Sequence, residues 1–339
     1  MSNSPSDKPT IGITLGDYNG VGPEVIIKAL ADSRILSMIT PVIYGSTRVL
    51  SYYKKALNQE EFNYTAAKGP GQFLPKAVNV VNCWEDQTEI QPGVATTESG
   101  QMAIVALKKC VDDLNAGFLD GIVTGPIDKK TAHGPDFPYH GHTEYLTDTF
   151  KATESLMMMV SAGLRIGLVT EHVPVKDISR YMIRERVELK IRLMEFSLKK
   201  DFRISKPRIA VLGLNPHAGD GGLLGEEEQN VLIPVIEDLR SKGKLIFGPF
   251  PADGFFGNGQ HTRYDGIVAM YHDQGLAPFK ALAFETGVNF TAGLPIVRTS
   301  PDHGTGYLIA GKGKADEQSM RQAIYVAADV IHNRQTTSD

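Results

Sequence analysis

The sequence predicts an α/β protein in which a largely parallel sheet is covered by helices. Two observations support this prediction. Short apolar runs repeatedly end in a polar or glycine-containing turn, and helical patterns fall between and after these runs. The chain of 339 residues, 42% of them hydrophobic and 22% charged, can bury a sizeable core in two domains or in one large α/β unit.

Six short apolar runs predict strands. A run of this length that is bounded by turn residues is typical of a strand buried in a sheet. The predicted strands cover residues 10–15, 41–45, 119–123, 166–169, 209–212 and 267–270.

Apolar residues at helical spacing predict five helices, at 24–31, 97–117, 187–200, 226–242 and 316–333. Pro23 precedes the first helix, and a proline costs nothing at the first helical position because its missing N–H would have no partner there. Thr97 is expected to cap the long second helix, and Gly117 to end it. The segment 60–93 shows no clear pattern. The three methionines at 157–159 are assigned to the core, as part of an apolar helix face.

Composition narrows the class of protein. A net charge of −4 and a pI of about 6.2 argue against a nucleic-acid binder, which normally has a basic face. Cys83 and Cys110 lack metal-type spacing and are too few for a disulfide scaffold. The N-terminal residues 1–8 are polar, and no apolar run approaches the ~20 residues needed to cross a bilayer. We therefore expect a cytoplasmic protein without nucleic-acid or membrane partners.

Five predicted strands end in residues that could take part in chemistry. These residues are Asp17, Thr124, His172, His217 and His272. In open α/β sheets ligands bind beyond the carboxyl ends of the strands, and imidazole is the commonest divalent-metal ligand. Three imidazoles with an open position indicate a catalytic metal that polarises a substrate oxygen. The alternative is that each is a capping or loop histidine, because the separations match no local zinc motif.

Glycine-rich segments provide no clear nucleotide signature. Residues 306–313 nearly match the P-loop pattern, but Gly313 stands where a Ser or Thr hydroxyl would hold Mg²⁺. No G-x-G-x-x-G follows a predicted strand, so a Rossmann dinucleotide site is unsupported. Residues 219–222 could present backbone N–H groups to an anion, but a tight loop with several positive-φ residues is the favoured interpretation.

Several side chains are candidates for an anionic substrate group. Lys280 and Arg298 could bind oxyanions, although any single basic residue is more often on a solvated surface. The turn-rich polar residues on both sides of Arg298 favour a site there. His142 and Thr143 could face a ligand from the start of a helix; alternatively Thr143 is a plain N-cap.

Motifs along nearly the whole chain resemble those of one family. The chain is similar to the 4-hydroxythreonine-4-phosphate dehydrogenases, the PdxA family of pyridoxal phosphate biosynthesis. The motifs are Gly16-Asp17, Gly20-Val21-Gly22-Pro23-Glu24, Thr124-Gly125-Pro126-Ile127, Gly141-His142-Thr143-Glu144-Tyr145-Leu146, Glu171-His172-Val173-Pro174, Leu214-Asn215-Pro216-His217-Ala218-Gly219, Tyr271-His272-Asp273-Gln274-Gly275, Gly293-Leu294-Pro295 and Arg298-Thr299-Ser300-Pro301-Asp302-His303-Gly304-Thr305. Tyr18-Asn19 departs from the family, which usually has Pro-Ala there.

This resemblance implies an isocitrate/isopropylmalate dehydrogenase-like fold, with two α/β/α domains flanking a cleft. The first domain would comprise residues 1–125 and 270–339. The second would comprise 126–269 and carry the dimer contacts. The family is a homodimer with a shared active site, so His272 could complete the metal site of the neighbouring subunit.

The resemblance also implies roles for individual residues. His172, His217 and His272 would hold a divalent metal, for which zinc suits three imidazoles and magnesium or cobalt remain open. The phosphorylated substrate would contact His142, Thr143, Lys280, Asn289 and Arg298. NAD or NADP would bind without a Rossmann fingerprint, at His303, Gly304, Thr305, Gly311 and Lys312. Asp253 and Asp273 are the candidate bases.

The implied reaction is the NAD- and metal-dependent oxidation of 4-phosphooxy-L-threonine at C3. Its product, 2-amino-3-oxo-4-phosphooxybutanoate, decarboxylates to 3-amino-2-oxopropyl phosphate in pyridoxine 5'-phosphate (vitamin B6) biosynthesis. The alternative is the paralogous dehydrogenase of 4-phospho-D-threonate or 4-phospho-D-erythronate in sugar-acid catabolism. A metal hydrolase or aldolase that uses the histidines without a nicotinamide is a third hypothesis.

Overall fold

A computed structural model describes residues 8–85 and 88–336 of the chain. Residues 1–7 of the polar N-terminal stretch lie outside this part. The described chain forms two compact units. The first draws its residues from Met1–Lys151 and Leu294–Gln335, and the second from Ala152–Gly293.

The first unit contains a six-stranded, entirely parallel sheet. Its strands lie in the order β3-β4-β2-β1-β5-β12. Their bounds are β1 Thr10–Thr14, β2 Thr40–Gly45, β3 Tyr64–Ala67, β4 Val78–Asn82, β5 Gly121–Thr124 and β12 Val297–Pro301. All residues of β2, β5 and β12 are buried, as expected for parallel strands covered on both faces.

Within the part of the chain that the structure describes, seven helices belong to the first unit. They are α1 Gly22–Leu30, α2 Ile35–Met38, α3 Thr47–Ala56, α4 Thr97–Asn115, α5 Lys129–Ala132, α6 His142–Thr149 and α11 Gln318–Thr336, the last of which ends one residue beyond the unit. The long helix α4 begins with a capping box: the Thr96 hydroxyl accepts from the Ser99 N–H, and the Ser99 hydroxyl accepts from the Thr96 N–H. Thr96 is therefore the N-cap, and the prediction of Thr97 was wrong by one residue.

The second unit contains a mixed sheet of six strands in the order β11-β6-β7-β10-β8-β9. The bounds are β6 Leu156–Ser161, β7 Leu164–Leu168, β8 Ile209–Leu212, β9 Ile246–Phe250, β10 Gly266–Ala269 and β11 Val288–Ala292. Strands β7, β10, β8 and β9 run parallel, whereas β6 pairs antiparallel with both β7 and β11. The α-helices are α7 Arg184–Lys200, α8 Ile233–Ser241, α9 Ala252–Gly257 and α10 His272–Ala283.

The predicted α/β class is confirmed, with corrections to single elements. The methionines at 157–159 are buried, as predicted, but they lie on strand β6 and not on a helix. The segment 60–93, which showed no pattern, contains β3 and β4. The units change over at 151/152 and 293/294, whereas the family resemblance implies boundaries at 125/126 and 269/270. Within residues 8–85 and 88–336, no helix combines the length and apolar character that a membrane span requires.

Candidate active site

The three histidines predicted as metal ligands follow three neighbouring parallel strands of the second unit. His172 lies beyond β7, His272 begins α10 directly after β10, and His217 lies beyond β8. Strand β10 is hydrogen-bonded to β7 on one side and to β8 on the other. The carboxyl ends of these strands therefore bring the three imidazoles to the same edge of the sheet.

Two of these imidazoles face each other. The ring centres of His172 and His272 are 5.8 Å apart, with an angle of 39° between the ring planes. Two imidazoles bound to one ion place their ring centres roughly 5–6 Å apart, given metal–nitrogen distances of about 2 Å. The His272 Nδ1 is 2.6 Å from the Asp273 carboxylate, which leaves Nε2 available as a ligand. This donor set fits a divalent metal.

His217 lies on an exposed turn of unusual backbone conformation. Residues 217–221 all have positive φ, and three of them, His217, Ala218 and Asp220, are not glycine. The interpretation of 219–222 as a tight loop with positive-φ residues is confirmed. Among the described residues, no group of three His, Cys, Asp or Glu side chains is placed to hold a metal. His217 therefore does not join His172 and His272 in a three-ligand cluster within one chain.

Buried polar side chains fix the loops that bear the histidines. The Gln274 side chain accepts a hydrogen bond from the Met270 N–H at 2.7 Å and donates to the Gly213 carbonyl at 2.6 Å, which ties the ends of β10 and β8 together. The buried Glu228 carboxylate accepts from the N–H of Asn215, two residues before His217.

The other predicted residues of the second unit lie on different elements. Lys280 is on α10, with its ammonium 6.0 Å from the centre of the Phe284 ring. Asn289 is on β11, and its Oδ1 is buried without a hydrogen-bond partner among the described residues. A buried polar atom of this kind could accept a hydrogen bond from a ligand. Of the candidate bases, Asp253 lies exposed in the first turn of α9, and Asp273 contacts His272.

In the first unit, Arg298 forms a buried cationic site with Thr124. Arg298 lies on β12 and is only 3% exposed, and its Nε and Nη2 donate to the Thr124 hydroxyl at 3.1 and 2.8 Å. Thr124 ends the neighbouring strand β5, so the pairing of β12 with β5 sets this contact. Guanidinium N–H groups match the oxygens of a phosphate, so Arg298 is a candidate phosphate ligand.

His142 lies near this guanidinium as a neutral imidazole. Its Nε2 is buried and has no hydrogen-bond partner among the described residues. Burial, together with the charges of Arg298 and Lys129, lowers the pKa of His142 well below its usual range. The N-cap of α6 is Gly141, so the interpretation of Thr143 as a plain N-cap was wrong, and the Thr143 hydroxyl is not used to cap this helix.

The buried, neutral state of His142 predicts a pH dependence of stability. The unfolded chain binds a proton on this histidine below pH ~6.5, whereas the folded chain does not. The free energy of unfolding is therefore highest above this pH and decreases as the pH falls. From pH 6.5 to 5.5 the free energy of unfolding should drop by up to about 1 kcal/mol more in the wild type than in His142→Asn.

Urea unfolding at pH 7.5, 6.5 and 5.5 measures this difference. The single tryptophan, Trp84, belongs to the same unit as His142, so its fluorescence reports the relevant transition. The control is His140→Asn at a neighbouring exposed histidine, which should keep the wild-type pH dependence. Parallel curves for the wild type and His142→Asn would contradict the prediction.

The predicted cofactor residues lie on a segment, residues 303–313, that packs on the loop after β1. The Val21 N–H donates to the Thr305 carbonyl at 2.8 Å, and the Tyr307 hydroxyl donates to Asp17 at 2.8 Å. Asp17 is fully buried and also accepts from Ser99, and this burial raises its pKa. These hydrogen bonds thus fix the segment against the loop after β1.

The ends of this segment differ in exposure. His303 Nε2 is buried without a partner among the described residues, whereas Gly304 and Lys312 are exposed. Gly311 has a φ of 71° and packs against Pro92, so a side chain there would be strained. Residues 306–313 do not form a P-loop, because they are followed not directly by a helix but by an irregular stretch, and α11 begins only at Gln318.

Helix α1 anchors the end of the same segment. The fully buried Glu24 carboxylate accepts from the Ala315 N–H and from Lys28, each at 2.9 Å. Lys28 also donates to the carbonyls of Gly313 and Ala315 at 2.9 and 2.7 Å. The Gly-Pro-Glu motif at the start of this helix therefore positions a loop almost 300 residues away in sequence.

Sequence reasoning missed several residues that shape the site. Asn19, at one of the positions that depart from the family, accepts at its side-chain oxygen from the Gln91 N–H at 2.8 Å and at its carbonyl from the Gly93 N–H at 2.8 Å. Gln274 and Glu228 were missed as well. A polar residue in a helix gives no sign in the sequence that it points inward, so only the motif around Gln274 could have drawn attention to it.

Known proteins resemble the chain over almost its whole length. The sequence model of the family described as "Pyridoxal phosphate biosynthetic protein PdxA" matches residues 37–327. The 4-hydroxythreonine-4-phosphate dehydrogenase of Bacteroides thetaiotaomicron is 49% identical over 97% of this chain and 90% of its own. The D-threonate 4-phosphate dehydrogenase of Pectobacterium atrosepticum is 37% identical, and the match covers 94% of this chain and 98% of that protein.

A solved structure agrees with these matches. The crystal structure of 4-hydroxythreonine-4-phosphate dehydrogenase from Klebsiella pneumoniae has a TM-score of 0.82 and 33% identity, and the match covers 97% of this chain and 99% of that one. Family model, sequence relatives and fold thus lead to one conclusion. The chain belongs to the PdxA family of pyridoxal phosphate biosynthetic proteins.

Proposed function

We propose that this dehydrogenase oxidises the C3 hydroxyl of 4-phosphooxy-L-threonine with NAD or NADP, in pyridoxine 5'-phosphate biosynthesis. The 49% identity with the Bacteroides thetaiotaomicron 4-hydroxythreonine-4-phosphate dehydrogenase is the observation on which this proposal chiefly rests. The C3–H bond breaks and its hydrogen leaves as hydride to the nicotinamide, while the hydroxyl proton goes to a base. The resulting β-keto acid loses CO₂ to give 3-amino-2-oxopropyl phosphate.

His172, His217 and His272 would hold a divalent ion beside the C3 hydroxyl. The 5.8 Å spacing of the His172 and His272 rings and the carboxylate on His272 Nδ1 support this assignment. Zinc suits three imidazoles, and magnesium or cobalt would also serve. When bound, such an ion supplies Lewis-acid polarisation of the hydroxyl and, after oxidation, of the ketone oxygen.

The phosphate group would be held by cationic and neutral donors. Arg298 is buried and fixed by Thr124, and the neutral His142 and the Thr143 hydroxyl lie at the start of α6. Lys280 and Asn289 are proposed as further contacts of the substrate. Their contribution is positioning, because the phosphate takes no part in bond breaking.

Two carboxylates remain as candidates for the base that accepts the hydroxyl proton. Because Asp273 contacts His272 Nδ1 at 2.6 Å, we assign it to orientation of that imidazole, as carboxylates commonly do for metal-binding histidines. Asp253 is exposed and makes no such contact, so we retain it as the base. The nicotinamide cofactor would lie against His303, Gly304, Thr305, Gly311 and Lys312.

We further propose a homodimer in the cytoplasm, in which two chains complete each active site. Two observations support a shared site. The second unit exposes large apolar side chains, among them Val175, Leu223 and Phe284. The described residues of one chain do not supply three clustered metal ligands, so the third would come from a partner.

The relative named D-threonate 4-phosphate dehydrogenase supports a second candidate function, oxidation of a phosphorylated sugar acid without the amino group. Steady-state kinetics with purified substrates decide between the two. We expect kcat/KM for 4-phosphooxy-L-threonine to exceed that for 4-phospho-D-threonate by roughly 10²-fold or more, because a site that hydrogen-bonds an ammonium group rejects an analogue lacking it.

NADH formation followed by absorbance measures both rates, and NADPH formation with NADP gives the cofactor preference. A reversed ratio would transfer the assignment to the sugar-acid dehydrogenases. Turnover of neither substrate with either cofactor would contradict both candidates.

A further inference from the structure

The turn that bears His217 needs an explanation for its conformation. Residues 217–221 have φ values between 43° and 80°, so a left-handed turn follows strand β8. Each residue other than glycine costs roughly 1–2 kcal/mol in this conformation. Such strain persists only where the surroundings enforce it, and it is concentrated at functional sites. Some contact must therefore hold the turn.

The carboxylate of Glu228 lies against this turn and binds Asn215, two residues before His217. Glu228 is 1% exposed and forms no ion pair with any described residue. Its oxygens instead accept from the backbone N–H of Asn215 at 2.7 Å and from the Asn215 side-chain amide at 2.9 Å. A Cβ added to Gly219 would lie 2.7 Å from Glu228 Oε2, and one added to Gly213 would lie 3.2 Å from Oε1. Asn215, before the turn, and Gly219, within it, thus both lie against this carboxylate.

The neighbouring Glu227 connects this turn with the segment that follows His172. Its Oε2 accepts from the Asn215 side-chain amide at 2.8 Å. Its Oε1 accepts from the hydroxyl of Ser179, which lies on the 3₁₀ segment Val175–Tyr181. A single carboxylate therefore joins the histidine-bearing segments after β7 and β8.

The local helix geometry allows two consecutive glutamates to act together. Glu228–Leu232 forms one π-helical turn directly before α8. The wider turn changes the direction in which side chains project, and such turns are frequent at functional sites. The carboxylates of Glu227 and Glu228 both reach Asn215, whereas the carboxylate of Glu226 accepts a local hydrogen bond, from Asn230.

We infer that Glu227 and Glu228 are positioning residues that fix the turn bearing His217, and that Glu227 joins this turn to the segment that follows His172. This inference rests on the proposed function, because it assumes that these histidines bind a metal. Without the carboxylates the strained turn can relax and carry the imidazole away. Residues that orient metal ligands typically contribute about 10–100-fold to metal affinity.

Cobalt(II) titration of the metal-free full chain tests the inference, since the visible absorption of Co²⁺ reports its coordination. We expect Glu227→Gln and Glu228→Gln to raise the Kd for Co²⁺ about 10–100-fold and to alter the spectrum. The control Glu226→Gln, at the adjacent exposed carboxylate, should bind as the wild type does. Glu227 is partly exposed, so the Tm of metal-free Glu227→Gln should stay close to the wild-type value.

The outcomes separate this inference from the proposed function. A wild type that binds no Co²⁺ would overturn the proposed metal centre and the inference with it. If the wild type binds and both variants keep its Kd and spectrum, the inference is wrong while the metal centre stands. Should Glu228→Gln fail to fold, Glu227→Gln and Ser179→Ala decide, because Ser179→Ala removes only the link to the segment after His172. Unchanged binding in both would overturn the inference.

Discussion

Replacement of Arg298 by alanine is expected to lower kcat/KM for the phosphorylated substrate by roughly 10²–10³-fold, which corresponds to the 2–5 kcal/mol typical of a buried charge contact. The guanidinium is 3% exposed and donates two hydrogen bonds to the Thr124 hydroxyl, so it would meet the proposed phosphate group without reorganisation. Steady-state kinetics, with calorimetric measurement of substrate binding, tests this expectation.

Two further variants distinguish recognition from general damage. Arg298→Lys keeps the charge but lacks the planar guanidinium that binds two oxygens at once. It should therefore retain more activity than Arg298→Ala but less than the wild type. Arg34→Ala removes an exposed arginine of the same unit that is paired with Asp32, and it should behave as wild type. Full activity of Arg298→Ala, or a loss explained entirely by a lowered Tm, would contradict the proposed phosphate site.

Removal of the metal or of a ligand should have the largest effect. Chelation and His272→Ala are each expected to lower kcat by about 10³-fold or more, because Lewis-acid stabilisation contributes several kcal/mol. Asp273→Asn should cost about 10–100-fold, since its carboxylate only orients His272. Atomic absorption of the purified protein, together with NADH formation before and after re-addition of zinc, magnesium or cobalt, measures these effects.

The control for this series is His332→Ala, on the exposed side of α11, which should retain both metal and activity. Turnover that resists complete removal of metal would exclude the metal from the reaction. Full activity of His272→Ala with metal still bound would instead exclude this histidine as a ligand.

The sequence predicted six of the strands, which are all parallel, and missed the remaining six of the described chain. The run at 209–212 matches β8 residue for residue, because a short apolar run between turn residues has few alternatives. The methionines at 157–159 were assigned to a helix face, since a continuous apolar run does not distinguish a strand from a helix. Strand β12 was missed because Pro295 and Pro301 made its surroundings resemble a turn, although both faces of the strand are buried.

The candidate site was predictable where residues follow strands and unpredictable where they come from helices. His172, His217 and His272 were found because each stands directly beyond an apolar run. Glu228 was not found, because three consecutive glutamates at 226–228 resemble a solvent-exposed stretch of a helix. Glu228 begins a π-helical turn, which no sequence pattern indicated, and its carboxylate is buried.

The division of the chain has a consequence for its synthesis on the ribosome. The second unit is a continuous insertion, whereas the first unit needs β12 and α11 from beyond residue 294. A nascent chain therefore contains every strand of the second unit before β12, the last strand of the first unit, has been synthesised. The inserted unit can fold during translation, while the earlier-made β1 and β5 must wait for β12 to emerge.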